Sequence, residues 1–177
     1  MNKLFIYTMI LVAGVFLSSC EKDDILDTAT VNMAGEWYVT ADAVDDQGET
    51  VYEDPFGDGS FLLDTYNTAS NSNNKMWIDN DGLSSDSYFT HFKSRMDINY
   101  SALTFNVPDY SNTIYDGCLV TITDGKILYG AATTPSGEVA DSTVFYISFS
   151  DDTNPADYGY SKYRVAGYRR AGFTANE

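Results

Sequence analysis

Tyr88-Phe89-Thr90-His91-Phe92-Lys93-Ser94-Arg95-Met96-Asp97-Ile98-Asn99-Tyr100 is the most regular stretch of the chain. Phe92, Met96, Ile98 and Tyr100 share one parity with Thr90 and Ser94, while His91, Lys93, Arg95, Asp97 and Asn99 share the other. A period of two puts alternate side chains on opposite faces of a strand, one facing a core and the other water. Downstream, Ser101-Ala102 is short enough to turn the chain into a strand over Leu103–Val107, expected to stop at Pro108. Cys118–Thr123 and Lys126–Ala131 read as two strands of a hairpin joined by Asp124-Gly125, because Asp-Gly tolerates the positive φ of a tight turn. Thr143–Phe149 sets Phe145, Ile147 and Phe149 on one side, and a last strand is expected within Lys162–Phe173.

Upstream the same alternation recurs. Met33–Ala41 places Trp37, Val39 and Ala41 on one face, and Phe61–Asn67 and Lys75–Asp79 are two further strands. Val51–Ser60, with Pro55, Gly57 and Gly59, reads as irregular loop, and Asp151–Tyr158 as an acidic loop. Eight or nine strands with no amphipathic helix predict an all-β, antiparallel domain, barrel or sandwich. Short polar connections favour sequential neighbours, and an up-and-down barrel of about eight strands removes the exposed edges that such β-rich segments would otherwise present.

The chain carries 10 Lys+Arg against 26 Asp+Glu, a net charge of −16. A field of that sign repels polyanions, so a nucleic-acid partner is not expected. Of the two cysteines, Cys118 sits in the apolar run Gly117–Ile122 and reads as a small buried side chain. One thiol offers no metal cluster, and no metal or cofactor is expected. Asp79-Asn80-Asp81-Gly82 fails the calcium-loop template, since Trp77 stands where an oxygen ligand is needed and no closing Glu follows.

At the other extreme lies Met1-Asn2-Lys3, an apolar run from Leu4 to Leu17, and then Ser18-Ser19-Cys20. The run is about 14 residues, short of the roughly 20 needed to span a bilayer. Leu17-Ser18-Ser19-Cys20 resembles the lipobox of bacterial lipoproteins. The resemblance implies a signal peptide over residues 1–19, lipid attachment at Cys20 and a tether over 20–32, ahead of a barrel domain over 33–177. Lys22-Asp23-Asp24 resembles the surface-export signal of Bacteroidota-type lipoproteins. It implies an outer-membrane lipoprotein exposed at the cell surface, with the membrane as its partner through Cys20; no protein partner can be named. Asp27-Thr28-Ala29 and Asp141-Ser142-Thr143 resemble O-glycosylation acceptors of the same bacterial group.

Gly35-Glu36-Trp37 resembles the Gly-x-Trp opening of lipocalin-like, or calycin, barrels. In that family an Arg from the last strand packs across the Trp and closes one end, which makes Trp37, Arg169 and Arg170 the barrel-closing candidates, with Arg164 a third arginine. Together with Gly167-Tyr168-Arg169-Arg170-Ala171-Gly172-Phe173, the lipobox and the domain length, the chain resembles Bacteroidota lipoproteins described as lipid-binding putative hydrolases with a calycin-like barrel. The resemblance implies a lipid-like ligand.

The inward set including Phe92, Met96, Phe105, Phe145 and Phe149 reads as core, and the same five are the candidates to line a cavity for a small apolar molecule. No catalytic residue is assigned. His91, the only histidine, shares the wet parity with Lys93 and Arg95, and Gly57-Asp58-Gly59-Ser60-Phe61 lacks the closing Gly of a nucleophile elbow. Two alternatives stay open: a glycan-contacting accessory protein using exposed Tyr and Trp, including Tyr158, Tyr160 and Tyr163, and a hydrolase with a carboxylate site.

Overall fold

The computed structural model describes residues 27–80 and 87–172. The signal segment, Cys20, Lys22-Asp23-Asp24, Asp81-Gly82 and Phe173 lie outside the described residues. The strands are β1 (Gly35–Val44), β2 (Thr50–Tyr52), β3 (Phe61–Asn67), β4 (Lys75–Asp79), β5 (Lys93–Asn99), β6 (Thr104–Ser111), β7 (Leu119–Thr133), β8 (Val139–Phe149) and β9 (Lys162–Arg169), with one short helix, α1 (Asn154–Tyr158). All pair antiparallel in the order β2-β1-β3-β4-β5-β6-β7-β8-β9, and β1 also pairs with β9. That last pairing, from Trp37 opposite Arg169 to Val44 opposite Lys162, closes eight strands into a barrel and leaves β2 as a short extension of β1.

Closure turns the period-two pattern into inside and outside. Trp37, Val39, Leu63, Met76, Ile78, Met96, Val107, Ile122, Phe145, Ile147 and Val165 point inward and are nearly sealed from water. Each buried side chain of this size contributes about 1.5–3 kcal/mol of burial free energy, so the interior dominates stability.

Four local expectations need correction. β7 runs unbroken through Asp124-Gly125 instead of turning back. Thr123 pairs with Tyr146 and Lys126 with Val144, so two residues oppose one; Asp124, at φ 55°, supplies the positive φ of a bulge. Tertiary packing decides the outcome, because the Phe105 ring lies where a Cβ on Gly125 would be, 2.5 Å from its ring carbons. Pro108 likewise does not end its strand: β6 continues to Ser111 through a register shift between Val107 and Tyr110, where no ladder N–H is required. The expected loops hold β2 and the single turn of α1.

The fourth correction concerns the opening stretch, of which only Lys93–Asn99 is strand. Ahead of it the backbone is held by two buried amides. Asn80 Oδ1 accepts from the Phe92 N–H at 2.7 Å and Asn80 Nδ2 donates to the Thr90 carbonyl at 3.0 Å. Asn112 Oδ1 accepts from the Lys93 N–H at 3.1 Å, and its Nδ2 donates to the His91 carbonyl at 2.9 Å. Side chains thus replace the ladder and satisfy buried backbone groups. They pin the segment that carries Phe89 and Phe92 across one end of the barrel.

Candidate functional site

The two ends of the barrel differ. At one end, Trp37 donates through Nε1 to Thr65 Oγ1 at 3.0 Å, and Thr65 donates to the Met33 carbonyl at 2.7 Å. The Arg169 guanidinium lies 4.3 Å from the centre of the Trp37 ring and donates to the carbonyls of Ala34 and Asn32 and to Asp141. Gly35 makes room for it, since a Cβ there would meet Arg169 Nη1 at 2.4 Å. Arg170 points to the outer face, 2.8 Å from Glu36 and 5.8 Å from the Tyr38 ring, and Arg164 faces Asp42 at 3.7 Å.

The other end is built from rings. Phe89 is 2% exposed and has four aromatic neighbours with centroids 5.4–5.9 Å away: Phe56, Phe61, Phe149 and Tyr163. Phe56 also packs on Tyr163, and Phe92 on Phe149. Asp58 holds this arrangement together, accepting from the Ser87 hydroxyl at 2.6 Å and the Phe89 N–H at 3.2 Å. Such ring pairs contribute about 0.5–1.5 kcal/mol each beyond their burial. Beside them a cleft of about 400 Å³ is walled by Tyr52, Glu53, Asp54, Pro55, Tyr158 and Tyr160.

Of the three tyrosines expected to form an exposed platform, only Tyr158 is exposed; Tyr160 and Tyr163 are buried. Their placement follows from a hydrogen-bond chain: the two hydroxyls lie 2.8 Å apart and Tyr163 donates to Asp152 Oδ2 at 2.5 Å. Burial first, and the Asp152 carboxylate second, push the Tyr163 phenol above its ordinary range; burial likewise raises Tyr160. A phenol whose folded pKa lies above its unfolded value contributes stability below about pH 10, and that contribution is lost as the pH rises further. Melting temperature measured from pH 8 to 12 is therefore expected to fall on the alkaline side, with a flatter limb in Tyr163→Phe. Equal slopes in the two proteins would contradict the assignment.

Phe92, Met96, Phe105, Phe145 and Phe149 all lie inside, none more than 6% exposed, with Phe105 against Phe145 at 5.7 Å. Among them sits a polar side chain. Ser94, opposite Ile78, is fully buried, and its Oγ has no hydrogen-bond partner among the described residues. Leaving a buried hydroxyl unsatisfied costs about 1–3 kcal/mol. Ser94 is legible in the sequence as the lone hydroxyl between Phe92 and Met96 on the inward parity, yet nothing in the pattern says that the fold leaves it without a partner.

Cys118 is buried and its thiol is pushed up, chiefly by desolvation, which keeps it protonated and poorly nucleophilic. Among the described residues no three His, Cys, Asp or Glu side chains gather as metal ligands do. The Ser142 hydroxyl donates to the Gly167 carbonyl at 2.8 Å, within the β8–β9 pair, and Thr143 is buried.

A family model described as "Lipid-binding putative hydrolase" matches residues 22–174. No curated protein matches the chain.

Proposed function

The chain belongs to the family of lipid-binding putative hydrolases, and from that premise we propose that its barrel holds a small apolar, lipid-like ligand on a protein tied to the outer membrane through acylated Cys20. Ser94 is the observation that carries the reading. An unsatisfied hydroxyl in a wall of Phe, Met and Ile is a liability in the empty protein and a handle for a ligand with one polar group. Phe92, Met96, Phe105, Phe145 and Phe149 form the apolar lining, and Met96 supplies a side chain that adapts to shape.

Entry is through the ring-lined end. Phe89, held by Asp58 and packed among four rings, is the plug in this reading, and the tyrosine-walled cleft receives the emerging end of the ligand. Arg169 over Trp37 is the permanent closure of the opposite end, and Arg170 secures it from outside through Glu36. The resemblance of Leu17–Cys20 to a lipobox supports an envelope location, and the acidity of a chain with net charge −16 would keep the domain off anionic head groups so that the acyl anchor sets its height.

Ser94→Ala separates a ligand site from an ordinary core position. Removing the hydroxyl is expected to raise the stability of the ligand-free protein by about 1 kcal/mol, because the unsatisfied group disappears. The same change is expected to weaken binding of a dansylated C16 fatty acid, followed by fluorescence, about fivefold or more, as a lost hydrogen bond does. No saturable binding to the parent protein, or a Ser94→Ala variant that is stabilised and binds as before, would overturn the reading.

A further inference from the structure

The outer wall carries a second constellation, independent of the interior. Register across β3, β4 and β5 sets Tyr66 opposite Trp77 and Trp77 opposite Arg95, so two aromatic side chains and a guanidinium lie in one outward row. On one flank Lys93 pairs with Asp79 at 3.4 Å and lies 5.3 Å from the Tyr66 ring; on the other Lys75 pairs with Asp97 and reaches Tyr110. These contacts neutralise the neighbouring charges and leave Arg95 out.

Eight Lys and Arg lie among the described residues. Five of them, Lys75, Lys93, Arg164, Arg169 and Arg170, are in ion pairs, and Lys162 lies 4.4 Å over the Tyr146 ring. Arg95 and Lys126 have no ion pair among the described residues. In a chain with 26 Asp and Glu an exposed, unpaired arginine is unusual. Arg95 opens on a cleft of about 380 Å³ whose other walls are Trp77, Tyr110, Ser111 and Thr113. Thr113 Oγ1 is bound to the Lys93 carbonyl and Tyr110 to Lys75 and Asp97, while Lys93 Nζ lies 5.9 Å from the centre of the Trp77 ring; the guanidinium, the indole surface that Lys93 does not cover and the exposed Ser111 are what the cleft offers a ligand.

We propose that this cleft binds an acidic sugar. The planar guanidinium fork matches one carboxylate through two parallel hydrogen bonds. The flat Trp77 ring offers the apolar surface on which the C–H face of a pyranose lies, and Ser111 meets a ring hydroxyl. A single guanidinium at the cleft of a chain with net charge −16 suits one carboxylate and disfavours a polyanion.

Glucuronate titrated into the full chain, read by tryptophan fluorescence, tests the assignment. Trp37 is sealed in the barrel, so a saturable change reports Trp77. The expected dissociation constant is about 1 mM, rising at least tenfold in Arg95→Gln and in the presence of glucose in place of glucuronate, the loss expected for one charge-assisted bidentate contact. Saturation-transfer NMR on Trp77→Ala is expected to lose the sugar signal. An unchanged melting temperature of Arg95→Gln confirms that the exposed change leaves the fold alone. Absence of saturable binding, binding indifferent to Arg95→Gln, acetate or benzoate binding as well as glucuronate, or an acidic peptide binding more tightly at the cleft would each overturn it.

Discussion

Gly167→Ala is expected to destabilise the barrel by about 3 kcal/mol or more, a fall in melting temperature of roughly 6–12 °C for a domain of this size. A Cβ at this position would stand 1.9 Å from the Tyr38 carbonyl oxygen and 2.6 Å from the Val39 Cα. Both are backbone atoms of β1, so no rotamer change relieves the contact. Gly167 pairs with Val39 across β1–β9 and with Thr143 across β8–β9, which places it on the seam that closes the sheet. Parting the strands at that point exposes unpaired backbone groups on both sides. Gly35→Ala is the instructive contrast, because its Cβ would meet the Arg169 side chain and not backbone, so its cost is a loosened hold of that guanidinium on Trp37 and Ala34 while the strands stay paired. Thermal melts of the two variants should therefore differ widely. A Gly167→Ala protein melting within 2 °C of the parent, on the scale of about 2–4 °C per kcal/mol, would show that the seam is looser than its geometry says.

Cys20→Ala is expected to move the protein wholly from the membrane fraction to the soluble one. Each buried methylene of an acyl chain contributes about 0.8 kcal/mol; one chain holds a protein only reversibly, and two or more anchor it stably. The described residues carry eight Lys and Arg in a chain whose net charge is −16, five of them already in ion pairs, so basic attraction to head groups would not replace the anchor. Labelled palmitate incorporated by the parent and not by the variant, with detergent-phase partitioning that follows the label, is the expected result. A variant that stays with the membrane, or a parent that takes up no palmitate, would remove the anchor from the proposed function while leaving the ligand reading of Ser94 to its own test.

Much of the fold is legible from periodicity. Phe61–Asn67 and Lys75–Asp79 are strands with the bounds that alternation assigns them, and the inward parity of Trp37, Val39 and Ala41 is the inward face of β1. The misreadings occur where two rules compete. Asp124-Gly125 has the chemistry of a hairpin turn, and a bulge needs the same positive φ; only the position of the Phe105 ring and the pairing of Lys126 with Val144 select the bulge. Tyr158, Tyr160 and Tyr163 look alike in sequence, whereas one is exposed and two are drawn inward by hydroxyl partners that include Asp152, eleven residues from Tyr163 in the chain. Phe89 falls on the wet parity of the opening stretch and is nevertheless buried, because the backbone there is held by Asn80 and Asn112 and no longer follows a pleat.

The amino-acid order by itself determined the all-β alternation, the inward face of most strands and the acidity of the chain. All of these are local properties, set by side-chain spacing and composition. Closure of β1 on β9, the seating of Arg169 over Trp37, the burial of Phe89 among rings, the unpartnered hydroxyl of Ser94 among the described residues and the row from Tyr66 to Arg95 were decided by tertiary structure. Each depends on register between strands distant in sequence, and register is settled only when the whole barrel closes and one set of contacts excludes the others.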